Sequence, residues 1–228
     1  QPLEDGQSLR LDGNAAHYLG AVMRAKPGDP VKLFDDRTGE WLALVESVGK
    51  RDVILTISAH LRPLETVADL WLLAAPIKKA RLDMVVEKAC ELGIARYQPV
   101  ITRRTIIERM NMDRLRSTMI EAAEQCGRTA LPQMEEAVKL PALLKSFPED
   151  RALFFADEDG GAPLLTAIAA NSGPAAILTG PEGGFDAEER ALLRDHHRVV
   201  PVSLGPFILR AETAAIYAIS VWMAHTAR

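Results

Sequence analysis

The sequence predicts an α/β protein, a mainly parallel sheet with helices on both faces, preceded by a small β-barrel. Two observations carry this expectation. From Asp69 onward, apolar runs of strand length alternate with segments of helical spacing, the pattern of a parallel sheet covered by helices. Before that point, short strands follow one another through tight polar turns, as in a small barrel. Arg62-Pro63-Leu64-Glu65-Thr66 has neither periodicity and reads as a linker, dividing residues 1–66 from 67–228.

In the first part, a short helix is expected from Ala15 to Arg24. Val31–Phe34 and Trp41–Val45 flank Asp35-Asp36-Arg37-Thr38-Gly39-Glu40, a hairpin-turn composition, and Val53–Ile57 follows a second turn. In the second part, Leu70–Ala75 is fully apolar, as a strand buried on both faces must be. Leu82, Val85, Val86 and Ala89 recur at helical spacing, and Gly93 stands where that helix would end. Tyr97–Ile101 is the next strand, and Asp113–Cys126 the next helix, closed by Gly127. Further strands are expected at Arg151–Phe155, Ala175–Thr179 and Val199–Ser203, with helices near Ala162–Ala170 and Ala187–Arg194. The last helix, Glu212–His225, is apolar almost all round, which predicts burial on both sides.

With 48% hydrophobic and 25% charged residues in 228, the chain reads as an ordinary globular protein. No run is long enough to span a membrane, and the start lacks the basic and apolar regions of a signal peptide, so a cytoplasmic location is expected. Cys90 and Cys126 sit beside alanines in helical patterns and are expected to be reduced, buried thiols. The five histidines show no ligand spacing with them, so no metal site is expected. Net charge is −4, yet residues 76–116 carry ten Lys/Arg against five acids. A basic face on an acidic body can hold a polyanion locally; a solvated helix face would look the same.

Two segments carry the chemistry. Thr179-Gly180-Pro181-Glu182-Gly183-Gly184-Phe185 follows a predicted strand, and its glycines make a turn that exposes amide N–H groups to a ligand. Ligands of open α/β sheets bind beyond the carboxyl ends of strands. The same loop also reads as a plain strand-to-helix connection with Asp186 as N-cap. The second segment is Ser203-Leu204-Gly205-Pro206-Phe207-Ile208-Leu209-Arg210-Ala211-Glu212-Thr213-Ala214. One Arg and one Glu at the mouth of a buried helix are costly unless paired or used. They read either as functional groups or as an ion pair tying down the loop.

Taken together, four ordered segments, Arg81–Gly93, Glu121–Arg128, Thr179–Phe185 and Leu204–Ala214, closely resemble the 16S ribosomal RNA (uracil-N3)-methyltransferase family of the SPOUT superfamily. The resemblance covers essentially the whole chain, including the barrel, which is PUA-like in that family. It implies a trefoil-knotted second domain, S-adenosylmethionine (SAM) held by the knot loops, and a homodimer. Carried onto this sequence, Leu178, Thr179, Gly180, Pro181, Glu182 and Gly183 form one wall of the cofactor site. Leu204, Gly205, Ile208, Leu209 and Ala214 form the other. One position departs from the family: Phe207 stands where a basic or polar residue is expected.

The reaction so implied transfers a methyl group to N3 of a uridine in 16S ribosomal RNA of the small subunit. N3 is a poor nucleophile until its proton leaves, so catalysis needs alignment plus a base or a cation that stabilises the uracil anion. Arg210 is the expected cation; Glu212 is the expected base or orients Arg210. Lys78, Lys79, Arg81, Arg103 and Arg104, with the barrel, are expected to grip RNA phosphates. Ile216, Ile219 and Trp222 on the last helix are expected to enter a dimer interface as well as the core. Two alternatives remain at this level. One is a SPOUT methyltransferase with another RNA acceptor, a ribose 2′-hydroxyl or a tRNA base. The other is a non-catalytic RNA-binding assembly protein.

Overall fold

The computed structural model describes residues 2–107 and 109–226. The chain forms two compact units, one of residues 1–66 with Arg128–Ala130, the other of the remainder.

In the first unit, β1 (Ser8–Asp12), β2 (Pro30–Phe34), β3 (Glu40–Val48) and β4 (Asp52–Arg62) make an antiparallel sheet in the order β1-β4-β3-β2. Register breaks along β3 at Glu40/Trp41, Leu42/Ala43 and Val45/Ser47 mark bulges, which bend a strand and increase its twist. Ala43 and Val45 on β3 and Val53, Leu55 and Ile57 on β4 alternate onto one face and join Leu3 and Ala16 in a core. β1 was not foreseen, because Leu9 and Leu11 are its only apolar residues. The helix expected from Ala15 to Arg24 is divided into α1 (Gly13–His17) and a π-helical turn at Tyr18–Val22. Gly20 lies inside that turn, where it weakens regular helix.

The hairpin turn before β3 is organised by Asp35. Its carboxylate accepts from the N–H groups of Leu3, Arg37 and Thr38 and from the Thr38 hydroxyl, at 2.7–3.0 Å. Burial alone would raise this acid, but those four donors outweigh it and lower the pKa to about 2. The segment read as an unpatterned linker is also held. Glu65 accepts from Arg128 Nε at 2.9 Å and from the Ala130 N–H at 3.2 Å, and its own N–H donates to Thr129 Oγ1.

The second unit runs β5 (Leu70–Ala74), α2 (Lys79–Glu91), β6 (Arg96–Ile101), α3 (Met112–Cys126), β7 (Gln133–Met134), β8 (Val138–Lys139) and α4 (Leu140–Lys145). It continues through β9 (Ala152–Ala156), β10 (Ala162–Pro163), α5 (Leu164–Ala170), β11 (Ala175–Thr179), α6 (Ala187–Asp195), β12 (Val199–Ser203) and α7 (Ala211–Thr226). The sheet order is β10-β12-β9-β11-β5-β6-β7, β8 also pairs with β6, and every pairing is parallel. The apolar runs lie where both sheet faces are covered: every residue of β11 is buried, and in β5 only Trp71 is partly exposed. Gly127 takes a left-handed conformation that ends α3. β7, β8 and α4 are too short for periodicity to reveal.

From β12 the chain returns past β9 to lay α7 on α2, α5, β5 and β11. α7 buries Ala215, Ala218, Ile219 and Trp222. Burial is not all round: Thr213, Tyr217 and Ala224 stay exposed. Of the residues expected to serve a partner as well, Ile219 and Trp222 are buried in this chain and Ile216 is half-buried. Cys90 is buried, but Cys126, expected to be buried, is exposed at the last turn of α3. No described helix is long and apolar enough to cross a membrane.

Candidate active site

Parallel strands β12, β9 and β11 are neighbours in the sheet and end at the same edge: Leu178 of β11 pairs with Phe155, and Val202 of β12 with Ala156. The loops that leave them therefore emerge side by side. With Arg81 of α2 they line a cleft of about 420 Å³, within the range of small-molecule sites.

Most of the expected cofactor residues meet there. Thr179, Gly180, Pro181 and Glu182 form one wall; Leu204, Gly205, Ile208, Leu209 and Ala214 belong to the other, with Arg210 among them. Leu178 and Gly183 do not line the cleft. Leu178 is fully buried in a core cluster with Phe155 and Phe185. Gly183 turns to Arg104, whose aliphatic stem packs on it and whose Nη1 donates to the Gly183 carbonyl at 2.6 Å.

Two glycines have distinct work. A Cβ on Gly180 would sit 2.7 Å from the Phe185 ring. Only glycine therefore lets this loop fold over Phe185, which stands edge-on to Phe155 at 5.0 Å between centroids. Gly205 has φ 127°, closed to residues with a side chain, and a Cβ there would meet open space. That constraint is in the backbone, not in a neighbouring protein atom.

The charged groups are arranged differently from the expectation. Arg81, assigned from sequence to phosphate binding, lines the cleft and lies 3.5 Å from Glu212 and 4.0 Å from Glu182. Glu212 itself is not among the lining residues; it is buried, and its Oε2 has no hydrogen-bond partner. Its ion-pair partner is Arg81 and not Arg210. Arg210 is exposed and makes no ion pair or side-chain hydrogen bond among the described residues. Lys78 and Lys79 are exposed where α2 begins, and the Lys78 N–H donates to Glu182 Oε1 at 3.4 Å.

Arg103 and Arg104 hold the first loop. The Arg103 guanidinium pairs with Asp186 at 3.0 Å and with Glu188, while its N–H donates to Glu189 Oε1 at 2.8 Å. Asp186 is the N-cap of α6 in a capping box with Glu189. The N–H of Glu189, then Arg103, holds the Asp186 carboxyl below the usual carboxylate range. The alternative reading of Thr179–Phe185 as a capped strand-to-helix connection is thus true of the same loop that lines the cleft.

A third wall was missed. Ala156, Asp157 and Glu158 at the end of β9 also line the cleft. Asp157 is enclosed and bridges Arg190 and Arg194 at 3.1 and 2.6 Å, and Arg190 reaches on to Glu158 at 2.9 Å. The only signal in the sequence was an acidic run, Asp157-Glu158-Asp159, at a strand's carboxyl end.

The cleft suits a cationic nucleoside such as SAM: it is large enough, it has backbone without side chains at Gly205, and Glu158 and Glu182 place carboxylates on its walls. Comparison with known proteins agrees. An RNA methyltransferase domain model matches residues 64–223, and an RNA methyltransferase PUA domain model matches residues 11–58. Ribosomal RNA small subunit methyltransferase E of Rickettsia conorii is 34% identical over 90% of this chain and 84% of its own length. A protein of Legionella pneumophila, solved with its cofactor SAM bound, is 32% identical, with TM-score 0.87 over 98% of this chain and 94% of its own. A ribosomal RNA small subunit methyltransferase E of Neisseria gonorrhoeae, bound to SAM, is 27% identical, with the same TM-score and the same coverage. With an RNA methyltransferase domain over its parallel sheet and an RNA methyltransferase PUA domain over its antiparallel unit, the chain belongs to the RNA methyltransferase family that includes ribosomal RNA small subunit methyltransferase E.

Proposed function

We propose that this protein transfers a methyl group from SAM to N3 of a uridine in 16S ribosomal RNA of the small subunit. The observation that carries the reading is the convergence of both motif loops on one cleft, with Arg210 exposed in its lining and unpaired among the described residues.

When bound, the donor supplies a methyl carbon already activated by a positively charged sulfur. The chain's residues align the acceptor and manage its charge. The loops after β9, β11 and β12 enclose the donor, with Glu158 and Glu182 complementing its positive charge. Arg210 faces O2 or O4 of uracil and lowers the cost of losing the N3 proton, which passes to solvent. Glu212 acts at one remove, holding Arg81, which in turn reaches Glu182 on the donor wall. Lys78 and Lys79, together with the PUA-like unit, grip phosphates.

A homodimer in the cytoplasm is part of the same reading. Tyr217 on α7, Met84 on α2 and Leu165 on α5 leave apolar surface exposed on elements that pack together. Light scattering at micromolar concentration should give twice the chain mass; a monomer rules the dimer out.

Donor calorimetry and mass-spectrometric mapping of small-subunit RNA after reaction test the activity. N3-methyluridine is the expected product. A methylated ribose or tRNA base overturns the acceptor, and absence of donor binding overturns the enzyme.

A further inference from the structure

Phe207 is 80% exposed and Ile208 83% exposed, on the loop between β12 and α7 that lines the cleft. A large aromatic side chain left in water gains nothing for the fold, since burial of apolar area is what stabilises it there. Its position is held by backbone: Gly205 at φ 127° and Pro206 immediately precede it. Arg210, three residues on, lines the same cleft, is exposed and makes no ion pair among the described residues.

An exposed aromatic face beside an unpaired arginine, on the lip of a cofactor-sized cleft, matches the chemistry of an unstacked nucleobase on a phosphate chain. A base must leave its stack to present a ring nitrogen to a methyl donor, and it needs a surface to replace the stacking it loses. We infer that the Phe207 ring is the platform on which the acceptor base of the RNA stacks, with Ile208 extending the apolar surface. This rests on the proposed methyltransferase reading and assigns the acceptor side of its site. A basic residue at this position would reach the RNA by charge; the phenyl ring reaches it by stacking, so recognition here depends on a base being present and little on salt.

The test uses the full chain in two measurements. In the first, anisotropy compares a short uridine-containing RNA with the same RNA carrying an abasic site in place of the uridine. Wild type and Phe207→Trp should prefer the base by about tenfold or more, and Phe207→Leu should lose that preference. In the second, kcat/KM for small-subunit RNA at saturating donor should fall tenfold to a hundredfold in Phe207→Leu and stay within a few fold in Phe207→Trp. Equal behaviour of Leu and Trp variants in the first measurement overturns the inference. So does a shift to half the assembly mass in Phe207→Leu, which would mean that a second copy of the chain covers the ring. If base-dependent binding holds while wild type makes no N3-methyluridine, the stacking surface stands and the proposed reaction fails.

Discussion

Arg81 Nε lies 3.5 Å from Glu212 Oε1, joining the first turn of α2 to the first turn of α7. Glu212 is buried with its other oxygen unpartnered, so Arg81 is what offsets its desolvation. The same guanidinium lies 4.0 Å from Glu182 on the opposite wall. One side chain therefore ties the two motif loops to each other.

Removing it should cost stability and donor affinity together. Arg81→Ala leaves a buried carboxylate without its cation, at a cost on the order of 1–3 kcal/mol. Glu212→Gln, which removes the charge and keeps the shape, should cost less. Thermal melting and donor calorimetry on both variants check this; an unchanged melting temperature in Arg81→Ala would mean that the pair does not matter to the fold.

Arg210→Ala should behave in the opposite way. The side chain has no partner within the described chain, so its loss should leave the melting temperature and donor affinity nearly unchanged. Turnover should fall by about a hundredfold to a thousandfold, as when one preorganised electrostatic contact is removed. Recovery of turnover at saturating donor would show that Arg210 only shapes the donor site.

Gly205→Ala tests backbone against space. A Cβ at this position meets no protein atom within 4 Å, but φ 127° is not open to alanine without strain of about 1–3 kcal/mol. The loop should shift and donor affinity should drop tenfold or more, with Gly205→Val at least as severe. Donor affinity equal to wild type in the alanine variant would show that the left-handed turn is dispensable.

Arg104→Ala should loosen the Gly183 turn and lower donor affinity, because its guanidinium holds that carbonyl and its stem covers the glycine. If the residue served RNA phosphates alone, donor binding would be untouched and only the salt dependence of RNA binding would change. Measuring both affinities separates the two roles.

Asp35 makes a pH prediction for the first unit. Its carboxyl is held at about 2 against an ordinary 3.8, so it stabilises the folded form above pH 3.8. That contribution is lost as pH falls through about 2, where the folded carboxylate takes up its proton. Asp35→Asn should therefore melt lower than wild type at neutral pH, and the gap should close as pH falls from about 4 to about 2. A constant gap across that window would contradict the assignment.

Much was legible in the residues alone. The apolar run from Leu70 announced a strand buried on both faces, because a solvated sheet face shows polar residues in alternation. Gly127 marked the end of α3, since few other residues take its left-handed cap. The two glycine-bearing segments pointed to loops open to a ligand, and both line the cleft. Short elements such as β7, β8 and α4 were not legible, because two to six residues cannot display a period.

What the sequence by itself determined was the order of the longer strands and helices and the two glycine-bearing loops that line the cleft, since propensity and periodicity act within a few residues of each other. Which side chains meet was decided by the tertiary structure. Arg81 and Glu212 stand 131 positions apart and pair only because α7 packs on α2. Asp157 and Glu158 joined the cleft only because parallel pairing sets β9 between β12 and β11, so that three loops leave one edge of the sheet together. Ion pairing and burial depend on distance in space, and strand order in the sheet, which no local pattern encodes, sets those distances.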